Sequence, residues 1–302
     1  MRILISGATG FVGRRLCEVL GEAGNELTAL SRHPEAAKRA VPQLTNAFLW
    51  SATDSPPPGE SLAGVDAIVH LAGESVVGRW TARKTRAIRD SRVLGTRRLV
   101  DALAATQSPP RVLVAASAIG YYGDRGDEIL KEDSPPGTDF LAQVCQGWEA
   151  EAARAGELGV RVVSLRIGVV LGPGGGALQA MLPPFRMGVG GPLGSGRQWW
   201  SWVQRDDLVG MIRFALDHQE LTGPYNATSP EPMRQKDFGK VLGRVLHRPA
   251  FMPTPATALK ILLGGFSSEL LSSKRVLPSR MQQTGYEFRF PRLEPALSEA
   301  LS

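Results

Sequence analysis

Gly7, Gly10 and Gly13, in the stretch "SGATGFVG", stand three residues apart near the start of the chain. An apolar run, Ile3 to Ile5, precedes them, and a helical pattern marked by Leu16, Val19 and Leu20 follows. A glycine turn between a strand and a helix is the arrangement that cradles a dinucleotide pyrophosphate. Gly7 allows the tight turn, Gly10 lets the backbone approach the phosphates, and Gly13 lets helix and strand pack closely. The helix N-terminus adds free N–H groups and a favourable dipole. Thr9, Phe11 and Val12 share the turn and are expected to lie along the cofactor. A glycine turn that holds no ligand is the alternative.

The end of the second strand selects between NAD and NADP. A carboxylate there would take the ribose hydroxyls. This chain has Ser31 and Arg32, followed by Lys38 and Arg39. A guanidinium can grip a 2′-phosphate in a charge-assisted, two-pronged contact. The expected cofactor is therefore NADP(H), with Arg32 on the phosphate and Ser31 beside it. In "VHLAGE", Leu71, Ala72 and Gly73 are small enough to let the adenine and ribose pass close. Glu74 is free to meet substrate or a neighbouring arginine. His70 reads as a tucked core histidine.

These residues need a framework. Apolar strands recur at Ile3 to Ile5, "NELTALSR", "NAFLW" (46–50), "DAIVHLAGE" (66–74), "RVLVAAS" (111–117) and "VRVVSLRIGVVLG" (160–172). Helical segments span about Thr81 to Thr106 and Phe140 to Leu158. Strands alternating with helices imply right-handed βαβ units and a parallel sheet covered on both faces. The expected fold is α/β, a Rossmann-like doubly wound sheet over residues 1–172. A smaller substrate lobe would follow over 173–302, with a segment at about 199–228 returning to the first domain. Glycine and proline crowd Gly172 to Gly196, and Trp199, Trp200 and Trp202 fall together behind them.

Composition narrows the classes. The chain has 302 residues, 43% hydrophobic and 21% charged, with two cysteines and a net charge of +6. Two cysteines make no disulfide framework and fit a reducing, cytoplasmic setting. No signal-peptide pattern opens the chain, and no apolar run reaches the ~18 residues of a membrane span. The four histidines are scattered, without metal-ligand spacing. No aromatic-basic RNA motif or long basic run accompanies the positive charge. An anionic small ligand and a solvated surface account for the charge better than nucleic acid or membrane.

Taken together, the glycine spacing, "DAIVHLAG", "SRVLGTRRLV", "LRIGVVLGPGG" and "WVQRDDL" resemble the extended short-chain dehydrogenase/reductase superfamily, in the order that superfamily shows. The stretches "SAIGYYG", "DFLAQVCQGWE", "LPPFRMGVGGPLGSGRQWWSWV" and "GYEFRFP" are similar to an atypical branch labelled "epimerase family protein", or SulA-like. That branch ends in a domain of unknown function, here about 249–297. The resemblance implies a Rossmann fold, NADP(H) binding, and a homodimer as one usual state.

The superfamily's reaction uses a tyrosine, a lysine and a serine. Aligned on Glu149, the tyrosine site holds Leu141 and the lysine site holds Cys145. Aligned on "YYG", the serine site holds Ala118, with Ser117 one step before. The asparagine before "V-x-G-T" becomes Arg92, which is expected near the cofactor. Substitutes are therefore sought. Tyr121 and Tyr122 follow a strand, where active-site residues of open sheets gather, and a nearby cation would lower a phenol's pKa. Cys145 is either a thiol beside the nicotinamide or a small apolar filler. Arg89, Arg92 and Thr96 share a helical side that would face the cleft and suit an anionic substrate. Arg197 and Trp199, in "GSGRQWWSW", would form a loop over the ligand, or simply pack.

Three readings follow: an NADP(H)-dependent oxidoreductase acting on a small molecule, a non-catalytic NADP(H)-binding sensor, and a nucleotide-sugar epimerase.

Overall fold

The computed structural model describes residues 1–302. The chain forms β1 (Arg2–Ser6), α1 (Phe11–Glu22), β2 (Glu26–Ser31), α2 (Pro34–Ala40), β3 (Leu44–Leu49), β4 (Ala67–His70), α3 (Ala82–Ala104), β5 (Val112–Ala118), β6 (Ile129–Leu130) and α4 (Phe140–Ala153). It continues with β7 (Arg161–Ile167), β8 (Val169–Leu171), α5 (Gly176–Arg186), β9 (Trp199–Trp200), β10 (Trp202–Gln204), α6 (Arg205–Asp217) and β11 (Gly223–Ala227). The remainder is β12 (Met233–Arg234), α7 (Gln235–Val245), α8 (Ala256–Leu263), α9 (Phe266–Leu271), β13 (Arg275–Val276), α10 (Ser279–Gln283) and α11 (Leu293–Leu301).

Seven strands pair in the order β11-β7-β5-β4-β1-β2-β3, all parallel. Strand periodicity explains why both faces are covered. In β1, Ile3 and Ile5 pack with Leu16 and Leu20 of α1 and Ile212 of α6. Leu4, between them, points to the opposite core with Leu99 and Leu103 of α3. The order reverses at β1: β2 and β3 build outward on one side, β4 and its successors on the other. In open α/β sheets, ligands sit outside the carboxyl ends of the strands at that reversal. The α/β, doubly wound expectation is met.

α3 begins at Thr81, whose hydroxyl accepts from Lys84 N at 3.2 Å. α4 ends earlier than its apolar pattern suggests. It tightens into a 3-10 turn over 154–158, and Gly159 leaves it in the left-handed region. The smaller lobe has its own core, where Trp200, Trp202, Phe238 and Leu242 meet Leu293 and Leu297 of α11. Two clasps join the lobe to the sheet. Asp207, buried at the start of α6, accepts from Arg289 N at 2.7 Å and Phe290 N at 2.9 Å. Glu132 accepts from Asn226 N on β11 and Arg280 N on α10, both at 3.1 Å. No helix is long and apolar enough to cross a membrane.

Candidate functional site

The turn between β1 and α1 is held by missing side chains. Gly7 has φ +79°, and a Cβ there would lie 3.0 Å from Leu71 C and Ala72 N. A Cβ on Gly13 would lie 2.1 Å from Gly7 O, an impossible contact. Both glycines are thus required for β1, α1 and the end of β4 to approach. Gly10 caps α1 without a side-chain hydrogen bond, and the first turn contains no acidic residue. Arg14 N is the first helical donor to find an acceptor, Gly10 O at 3.0 Å. The N–H groups of Phe11, Val12 and Gly13 therefore stand free, as an anion-binding helix terminus requires. The Phe11 ring is used differently. It fills the space that glycine leaves at Gly172, Gly175 and Gly176, with the Arg205 guanidinium 5.1 Å from its centroid. Thr9 is exposed, and its carbonyl accepts from Arg14 Nε at 2.9 Å.

At the end of β2, Ser31 Oγ accepts from His33 N at 3.1 Å. Arg32 is exposed and has no hydrogen bond or ion pair, whereas Lys38 is tied to Glu35 at 2.8 Å. The end of β4 is fixed from beneath. His70 bridges Ser6 Oγ (2.6 Å) and Thr96 Oγ1 (3.0 Å), and Ala72 N donates to Ser6 Oγ at 3.2 Å. Burial pushes the His70 imidazole down to about 4, so it is a neutral structural bridge. Thr96 is consequently a core residue, and Arg89 is exposed beside Asp90 at 3.0 Å. The expected cleft-facing row of Arg89, Arg92 and Thr96 reduces to Arg92.

Arg92 donates from Nη1 to the carbonyls of Glu74 (2.9 Å) and Ile88 (3.2 Å). Its guanidinium lies 5.2 Å from the Trp148 ring centroid, and a Cβ on Gly73 would come within 3.2 Å of it. No carboxylate pairs with it: Glu74 is taken by Lys84 Nζ at 2.6 Å. Burial lowers the Arg92 pKa against the opposing fields of Cys145 and Glu74. Cys145 is buried, and burial pushes its thiol up to about 12. A Cβ on Gly120 would lie 3.3 Å from Leu141 Cβ and 3.8 Å from Cys145 Sγ. Leu141 and Cys145 thus fill space under the turn at 119–122, and a thiolate does not form there near neutral pH.

The carboxyl ends of β5, β7 and β11 carry a polar row. Strand register sets Ser117 beside Arg166, and Arg166 beside Asn226. Arg166, 3% exposed, pairs with both carboxylate oxygens of Glu149 on α4, each at 2.8 Å. Ser117 donates to the same Glu149 at 2.6 Å. Arg166 Nη1 also donates to Tyr122 Oη (2.9 Å), which donates to Asn226 Oδ1 (2.7 Å). Burial works against the Arg166 charge, but the Glu149 hydrogen bonds and field outweigh it and raise the guanidinium pKa. Tyr122 is fully buried, and burial pushes its phenol up to about 12. The hydroxyls of Tyr122 and Ser117 are therefore spent on the fold. Tyr121 differs: it is half-buried, its hydroxyl bonds to nothing in the chain, and Arg166 Cζ lies 3.5 Å from its ring centroid. The cation beside the tyrosines is thus Arg166. An arginine inside the apolar strand "VVSLRIG" was the available signal.

The loop expected over the ligand is pinned. Trp199 is flanked by Arg234 and Arg275, at 4.3 and 4.4 Å, and its indole donates to Asp127 at 3.1 Å. Arg234 also holds the Arg197 carbonyl, leaving the Arg197 side chain in solvent. No group of three or more His, Cys, Asp or Glu side chains could hold a metal ion.

Comparison with known proteins agrees with this architecture. Residues 3–227 match the NAD dependent epimerase/dehydratase family, and residues 254–300 match a domain of unknown function, DUF1731. The chain is 40% identical over 299 residues to "Epimerase family protein SDR39U1 homolog, chloroplastic" of Arabidopsis thaliana, covering 98% of this chain and 86% of that one. It is 35% identical to "Epimerase family protein YfhF" of Bacillus subtilis, covering 100% and 98%. The crystal structure of human epimerase family protein SDR39U1 (isoform 2) with NADPH superposes with a TM-score of 0.89, 34% identity and 99% coverage of both chains. A UDP-glucuronic acid 4-epimerase from Bacillus cereus shares the fold at 16% identity and a TM-score of 0.81. The chain belongs to the NAD dependent epimerase/dehydratase family, in its epimerase family protein branch with a C-terminal DUF1731 segment.

Proposed function

We propose that this protein binds NADP(H) along the β1–α1 turn and acts as an oxidoreductase on a small molecule in the crevice outside β1, β4 and β5. One observation carries the cofactor reading. Arg32 stands unpaired at the end of β2, where no carboxylate competes for a 2′-phosphate. The free N–H groups of Phe11, Val12 and Gly13 suit the pyrophosphate, and the structure of the human relative with NADPH supports the same assignment. Leu71, Ala72 and Gly73 leave room for the adenosine side, and Arg92 offers a cation without a carboxylate partner beside Gly73.

Bound NADPH supplies a hydride. The protein's part is to orient the acceptor and hold a proton ready. Tyr121 is the phenol left free to do so. The Arg166 guanidinium stacks on its ring, 3.5 Å from the centroid, and Glu149 fixes that guanidinium in turn. Leu141 and Cys145 give α4 no proton-transfer role. That feature favours a second reading, a non-catalytic NADP(H)-binding sensor, over epimerisation, which also needs a proton-transferring group.

The test is NADPH binding by fluorescence, followed by NADPH absorbance with a panel of aldehydes, ketones, enones and quinones. NADPH should bind at least tenfold tighter than NADH, and turnover should fall in Tyr121→Phe while NADPH affinity holds. Equal affinity for the two cofactors would overturn the NADP(H) assignment. Turnover unchanged in Tyr121→Phe would remove Tyr121 from the chemistry. A partner protein binding differently to the NADP⁺ and NADPH forms, with no turnover, would establish the sensor.

A further inference from the structure

The smaller lobe contains an open surface pocket of about 450 Å³ that shares no residue with the cradle. It lies between α7 and the loop behind it, and its size suits a small organic molecule. Lys236 and Lys240, four residues apart, project from one face of α7. Arg248 faces them from the loop, and Phe251, Ala250 and Pro192 complete the wall.

The charge in this pocket is poorly answered. Lys236 has no acidic partner. Arg248 donates only to the carbonyls of Arg186 (3.3 Å) and His247 (3.2 Å). Lys240 meets Asp237 at 3.2 Å, with both groups largely in water. Three cations therefore line the pocket, and only Lys240 has a carboxylate partner. The Phe251 ring beside them is 73% exposed, and Met187, Val189 and Met252 add further exposed apolar surface on the adjoining segments.

The walls are fixed. Thr254 N donates to Pro192 O at 2.8 Å, and Met252 N to Gly190 O at 3.2 Å. A Cβ on Gly191 would lie 2.2 Å from Met252 O, so the two segments touch through glycine. Arg248 N donates to Gly243 O at 2.8 Å, turning the loop back onto α7.

We infer that this pocket is a second ligand site, for an organic anion whose phosphate or carboxylate is held by Lys236, Lys240 and Arg248 and whose apolar body rests on Phe251. Like charges lining one concave surface raise a positive potential that an anion relieves. A guanidinium fits either head group in two-pronged fashion, and Phe251 offers the face that an aromatic or aliphatic body needs. The inference stands on these residues alone and is independent of the reaction proposed above.

Calorimetric titration of the full-length protein saturated with NADPH tests it, with phenyl phosphate and phenylacetate as probes and benzyl alcohol as the uncharged control. At least one anion should bind at least tenfold tighter than the alcohol, with affinity falling as salt rises. The stronger anion identifies the head group. Lys236→Gln combined with Lys240→Gln should weaken binding at least tenfold, and Arg248→Gln, a second route to the same loss, should also weaken it. Each variant's melting temperature and NADPH affinity should match the parent. Absence of saturable anion binding, equal binding of the alcohol, unchanged affinity in the variants, or displacement by excess NADPH would each overturn the inference.

Discussion

At the carboxyl ends of β1, β2 and β4, side chains are small or absent and backbone N–H groups stand free. At the carboxyl ends of β5, β7 and β11, polar side chains are large, buried and spent on one another. Gly7 and Gly13 leave donors without acceptors at the first place. Ser117, Glu149, Arg166, Tyr122 and Asn226 consume their donors and acceptors at the second. A binding site shows itself by what is left unpaired. A buried polar cluster on the ligand edge of a sheet is equally consistent with a cross-link that positions a neighbour. Here Tyr121 is the phenol that escapes the cross-link while resting on it.

Removing one partner of the cross-link would break the comparison most forcefully. Arg166→Met leaves the Glu149 carboxylate without its ion pair in a largely buried setting. The expected loss is about 3–5 kcal/mol of unfolding free energy, the usual cost of stranding a buried charge. Urea unfolding measures it. A loss below about 1 kcal/mol would mean that the row does not hold the fold together.

The two tyrosines sharpen the same point. Tyr122→Phe strands Asn226 Oδ1 and one Arg166 N–H, and should cost about 1–3 kcal/mol. Tyr121→Phe removes a hydroxyl that bonds to nothing in the chain, and should change stability by less than about 0.5 kcal/mol. Equal losses in the two variants would place both phenols in the scaffold.

The sheet and the cradle were legible because their signals are local. Glycine spacing, strand alternation and a cation after β2 each lie within a few consecutive residues. The cross-link was not legible, because it is a property of register. Ser117, Arg166 and Asn226 become neighbours only when β5, β7 and β11 align. Trp199 was ambiguous for a related reason. Its aromatic cluster left a loop over the ligand and plain packing both open, because the flanking Arg234 and Arg275 are distant in sequence. The short helices α8 to α10 gave no clear periodic signal, since their lengths span too few turns to establish a face.

His70 connects the two regimes, since it supports the cradle from inside the core. Its pKa is about 4 in the folded protein, against an ordinary 6.5 when unfolded. Between these values the unfolded chain takes up a proton that the native chain refuses, so stability rises with pH across that window. The contribution is fully present above about 6.5 and is lost as pH falls toward about 4. Unfolding at pH 7.5 and at pH 5 should differ by about 2 kcal/mol from this group. His70→Asn removes that share of the slope, whatever it does to absolute stability. An unchanged slope would mean that His70 takes up its proton alike in the native and unfolded states.

The smallest effect falls on the cradle, where Arg32 has no structural work to do. Arg32→Ala should leave unfolding free energy within about 0.5 kcal/mol of the parent, as for other surface substitutions. The same change should weaken NADPH at least tenfold, about 1.4 kcal/mol, and NADH much less, because only NADPH carries the 2′-phosphate. Fluorescence titration with both cofactors separates the outcomes. Selective loss of NADPH would show an unpaired group reserved for a ligand, the converse of Arg166. Equal loss of both would move the 2′-phosphate contact away from Arg32. A loss of stability instead would show that Arg32 serves the scaffold, and the contrast between the two ends of the sheet would fail at its clearest point.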